Sequence, residues 1–72
     1  MVNILKLKGK IVEKGFTIES FADAVHIHRG TMYRKMGANG ESFLIREMDA
    51  IVKTLELNSD EAVAIFFTQL VA

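Results

Sequence analysis

The sequence predicts an all-α protein, a compact five-helix bundle in which helices two and three form a helix-turn-helix. Three observations carry this reading. Apolar residues recur at helical spacing in five segments. There is no proline, which suits a helical bundle with short connections. The stretch Thr17 to Met36, TIESFADAVHIHRGTMYRKM, reads as a helix, a sharp turn and a second helix. In it Phe21, Ala22 and Val25 fall on one apolar face, and Ala22 sits where the two helices cross closely. Ile27 is an apolar plug in an otherwise polar turn, and Thr31, Met32 and Met36 lie on the inner face of the second helix. Arg29, Thr31, Tyr33 and Arg34 fall near or on the outside. A second helix that stands off a compact body with polar and cationic residues outward is the arrangement that enters a DNA major groove.

The elements follow in order. Helix one spans about Asn3 to Lys14, with Ile4, Leu7, Ile11 and Val12 on its inner stripe and Lys6, Lys10 and Lys14 on an outer one. Gly15 ends it in the left-handed position that favours glycine. Helix two starts at Thr17, whose hydroxyl can cap the free N–H groups, and helix three follows the turn. Gly37 to Ser42 is polar and glycine-bearing, hence a loop. Helix four spans about Leu44 to Leu55, with Met48, Ile51, Val52 and Leu55 inward. Helix five starts at a cap, Asn58 or Ser59, with Asp60 and Glu61 stabilising its positive end and Ala62, Ile65 and Phe66 inward. The tail from Phe67 to Ala72 extends helix five or covers a neighbour.

Seventy-two residues are expected to form one domain, 1–72. Half are hydrophobic, enough for a core. No cysteine is present, so disulfides and thiolate metal sites are excluded and a reducing cytoplasm is the expected setting. No apolar run has the length of a membrane span, and Met1 to Lys14 is too basic and interrupted for a signal core. Net charge is zero but unevenly spread. Residues 1–36 carry seven Lys/Arg and three acids, a net +4, while residues 37–72 carry two and six, a net −4. Any nonspecific attraction for DNA is therefore local to one face.

Catalysis finds no support: there is no cysteine, no Ser–His–acid arrangement and no glycine loop leading into a lysine-bearing helix. Asp23, His26 and His28 hint at a metal site, but both histidines fall where a turn and a cap are expected. No cofactor is called for.

With these residues in place, the chain resembles the Cro/C1-type helix-turn-helix family of phage regulators. The pattern runs through Leu7, Ile11, Gly15-Phe16-Thr17, Phe21-Ala22, Ile27 and Thr31 to Met36, then Phe43, Met48, Ile51, Leu55-Glu56-Leu57, Glu61 and Ile65-Phe66-Phe67. It is similar to small regulators of temperate Gram-positive phages, both Cro-like repressors and modulator-of-repression antirepressors. Four departures are informative. His26 stands where the family usually has a turn glycine, His28 where Ser or Thr caps the second helix, and Leu44 where Thr commonly caps helix four. Gly30 stands where the family commonly places a long base-reading side chain.

The resemblance implies a transcriptional regulator of a lysis–lysogeny switch that acts without catalysis. One mechanism is a modulator of repression, an antirepressor that contacts the phage repressor, operator DNA or both. The alternative is an autonomous Cro-like sequence-specific repressor. Candidate DNA contacts are Arg29, Thr31, Tyr33, Arg34 and Lys35. Candidate partner contacts are Glu19, Asp23, Arg29, Tyr33 and Arg34 on the front of helices two and three, with Phe67, Leu70 and Val71 at the apolar end. That apolar end is also open to a homodimer seam, which would set the spacing of two recognition helices.

Overall fold

Four of the five helices begin at a residue whose side chain accepts from their free N–H groups, and four end where the backbone turns left-handed. In this computed structural model, which describes residues 2–67, the helices are α1 (Ile4–Glu13), α2 (Ile18–Ala24), α3 (Arg29–Gly37), α4 (Ile45–Thr54) and α5 (Ser59–Phe66). Among the described residues there is no strand, and the protein is all-α. Asn3 caps α1 by accepting from the Lys6 amide. Thr17 and Ser20 form a reciprocal capping box at α2, and Asn58 and Glu61 form another at α5. Leu44 has no oxygen to offer, so α4 keeps half of a box: the Leu44 amide donates to Glu47 Oε1 at 2.8 Å.

Four helices end in one way. The residues after the C-caps of α1, α2, α3 and α4 are Gly15, His26, Asn39 and Glu56, with φ of 85°, 59°, 61° and 54°. Each donates to the carbonyl three residues back, and the next residue donates to the carbonyl five back: Phe16 to Ile11, Ile27 to Ala22, Gly40 to Lys35 and Leu57 to Val52. These are Schellman closures. They turn the next side chain back onto the core, which is how Ile27 and Leu57 are buried although they lie outside helices. Sequence reading found the turn at Gly15 and expected His26 to adopt it; the Glu56 turn carries no compositional mark.

The core gathers Leu7 and Ile11 of α1, Phe21 and Ala22 of α2, Met32 of α3, Ile51 of α4, Leu55 just after it and Ile65 of α5, all at or near zero exposure. Phe16 meets Phe21 edge-on at 5.5 Å. The N-terminal end is tied down by Val2 donating to Asn39 and Asn3 to Ile65. At Gly40 a Cβ would lie 2.6 Å from Val2 Cβ, so this close approach admits only glycine.

Two assignments on α1 need correction, one inward and one outward. Val12 is 71% exposed, because at about 100° per residue it lies well round from the Leu7–Ile11 line. Lys10, assigned to an outer stripe, is drawn against α5, where its ammonium lies 2.5 Å from Glu61 Oε2 and 3.2 Å from Glu13 Oε2. Both carboxylates hold the Lys10 ammonium above its ordinary value, Glu61 more strongly than Glu13.

Candidate interaction face of α2 and α3

The α2 and α3 helices pack against each other through a four-residue connection, Val25 to His28. Burial of Phe21, Ala22, Val25, Ile27, Met32 and Met36 fixes their crossing from below. That underside forces the opposite faces outward, and these form one front.

Two bonds between α2 and α3 organise the front. The Arg29 guanidinium donates through Nε to Asp23 Oδ1 at 3.1 Å and through Nη2 to Asp23 Oδ2 at 2.6 Å. This is a bidentate fork, the geometry in which arginine also meets a guanine edge or a phosphate. One turn along, the Tyr33 hydroxyl donates to Glu19 Oε2. The electrostatics follow from these bonds. Arg29 holds the Asp23 carboxyl below the ordinary carboxylate range, and the Tyr33 hydroxyl does the same for Glu19. Reciprocally, Asp23 raises the guanidinium of Arg29 and Glu19 raises the phenol of Tyr33. At neutral pH both acids are therefore charged and both partners stay protonated.

Arg34, about 100° on from Tyr33 and away from the buried Met32, Lys35 and Met36, is exposed on the outer side of α3 and, among the described residues, forms no ion pair. The front thus carries two carboxylates and two guanidiniums and is electrically balanced, although residues 1–36 as a whole are basic. Tyr33 is 51% exposed and is its aromatic centre. Thr31 is half-buried and Gly30 is exposed without a side chain to project.

At the cap position His28, the side chain does cap α3: Nδ1 accepts from the Gly30 amide at 3.1 Å. Lys35 corrects an expectation. It is 8% exposed, its ammonium 2.5 Å from Glu47 Oε1 and 6.0 Å from the Phe43 ring centroid, and it fastens α3 to the start of α4. It does not share the front with Arg29 and Arg34. Burial pushes the Glu47 carboxyl up, but the Leu44 amide and the Lys35 ammonium outweigh burial and leave it below its ordinary value.

The second candidate surface lies elsewhere. Phe67 is half-exposed beside a cleft lined by Val2, Phe43, Met48 and Phe66. Leu70 and Val71 lie outside the described residues. Further exposed aliphatics are Leu5 and Val12 on α1 and Leu44 and Ile45 at the start of α4; the sequence marks Val12 as inward and Leu44 as a cap position, and carries no sign for Leu5 and Ile45. Among the described residues no group of three or more His, Asp or Glu could hold a metal ion, and no helix is long and apolar enough to cross a membrane. Comparison of the chain with family models, with curated proteins and with solved structures finds no match.

Proposed function

We propose that the chain is a phage-type helix-turn-helix regulator of a lysis–lysogeny switch, acting in the bacterial cytoplasm as a modulator of repression through the α2–α3 front. The partner is the repressor encoded by the same phage. The resemblance to Cro/C1-type regulators supplies the class of protein. The observation that carries the choice of mechanism is the pairing of Arg29 with Asp23 and of Tyr33 with Glu19. A reader of bare DNA benefits from unpaired donors and a positive surface. A face with both charge signs around an exposed tyrosine instead fits a protein surface, where complementary charges select the partner and an aromatic anchors it. The alternative, an autonomous Cro-like repressor, is favoured by Arg34, which forms no ion pair among the described residues, and by the basic first half of the chain.

Calorimetry with the phage repressor tests the reading. Wild-type protein should bind at micromolar concentration, Tyr33→Ala should bind at least about tenfold more weakly, and Phe67→Ala should change little. Loss of binding with Phe67→Ala alone moves the contact to the apolar end. No binding by wild type rejects the proposal.

A further inference from the structure

We infer that Glu19 and Asp23 are specificity determinants that keep nucleic acid off the α2–α3 front, and that without their charges the same front binds duplex DNA through Arg29 and Arg34. The inference rests on reading this front as the face that meets a macromolecule. It adds which residues exclude the competing class of ligand.

Three features of the front support it. Both carboxylates belong to α2, and each lies against the outer side of α3. Glu19 is in the first turn of α2 and Asp23 in its last, so the acids flank the front along its length. A duplex presented to α3 brings about one phosphate charge per 1.7 Å of its axis toward both acids. Second, Arg29 spends its Nε–Nη2 edge on Asp23, so that fork is closed to a guanine or a phosphate. Freeing it leaves a carboxylate without its partner while a second anion arrives. Third, Gly30 lies between Arg29 and Thr31 and projects nothing into a groove, so no base contact compensates there. The same acids cost a protein partner little, because a protein can set a cation opposite each of them. Their hydrogen bonds are solvent-exposed, which argues that they contribute more to selectivity than to holding the fold.

The test uses the full chain and a fluorescently labelled mixed-sequence DNA duplex at low salt, read by anisotropy, and needs no repressor. Glu19→Gln with Asp23→Asn keeps the size of both side chains and removes two negative charges. Glu41→Gln with Glu56→Gln makes the same change in net charge on exposed acids far along the chain. The Glu19/Asp23 variant should bind the duplex at least about tenfold more tightly than either wild type or the Glu41/Glu56 variant. The gain should fall as salt rises and should vanish when Arg29→Ala and Arg34→Ala are added. Should the doubly neutral protein fold poorly by circular dichroism, Asp23→Asn alone should show part of the gain. Equal binding by the two doubly neutral variants, or a gain that survives loss of both arginines, overturns the inference. Failure of the wild-type protein to bind the repressor would instead reject the proposed function and leave this result standing on its own.

Discussion

The inner and outer faces of α3 use charge in opposite ways. Inward, Lys35 lies between Met32 and Met36 in sequence, and its ammonium is set against Glu47 with little water around it. Outward, Arg29 and Tyr33 hold Asp23 and Glu19 across the gap to α2, where solvent reaches both pairs. Removing one partner of a pair shielded from water leaves a charge that water cannot fully solvate, so the inner pair governs stability. Removing one partner of an exposed pair costs little, because water replaces it. On the proposed reading the outer pairs govern what can approach. One nine-residue helix would then separate holding from recognition by face.

The largest way to break this division is to attack the turn that sets both faces. Ile27 is 7% exposed and is folded back by its bond to the Ala22 carbonyl. Ile27→Asp places a carboxylate there without a partner and should destabilise the domain by about 4 kcal/mol, read as a collapse of the far-UV melting transition. An unchanged melting curve would mean that the turn does not join α2 to α3 as described.

Next in size is the inner pair. Lys35→Ala strands Glu47 and should cost about 1–3 kcal/mol in a denaturant titration. Its pH dependence has a defined sign. The folded Glu47 carboxyl lies below its ordinary value, so its contribution is present in full above the ordinary carboxylate range and is lost as pH falls through the lowered value. The stability difference between wild type and Glu47→Gln should accordingly be largest near neutral pH and shrink in acid. A difference that grows on acidification contradicts the assigned direction.

Smaller, and opposite in sign, are the left-handed turns that carry side chains. His26 and Glu56 hold φ of 59° and 54°. Glycine at either position removes the steric penalty, and His26→Gly and Glu56→Gly should each stabilise the domain by about 1 kcal/mol in the same titration. Smallest of all are the outer pairs. Asp23→Asn and Tyr33→Phe should leave the melting temperature within error of wild type, a result that separates the outer face from the inner one. A large loss of stability in either variant would erase the division.

Much of this architecture was legible from residue type and spacing. Thr17, Asn58 and Gly15 announce helix ends because their chemistry is local, and the buried set Leu7, Ile11, Phe21, Ala22, Met32, Ile51, Leu55 and Ile65 follows helical period. Lys35 was misplaced because charge suggests solvent. Its position three residues after Met32 and one before Met36 was the available sign that it borders the core. The site was legible only in part. Glu19, Asp23, Arg29, Tyr33 and Arg34 could be assigned to one front, but Asp23–Arg29 spans a turn and Glu19–Tyr33 joins two helices, and neither bond has a fixed sequence spacing. Glu56 carries no mark of its turn, since glutamate is not selected for that backbone; the flanking Leu55 and Leu57, both buried, were the only hint.

The central claim is that the α2–α3 front meets a protein and not bare DNA. A gel shift on DNA from the phage switch region, run with the protein alone, the phage repressor alone and both together, tests it most directly. The expected result is no shift by the protein alone at micromolar concentration and a changed repressor shift when both are present, with the change lost on Tyr33→Ala. A shift of the same DNA by the protein alone, together with a repressor shift that its addition leaves untouched, would contradict it.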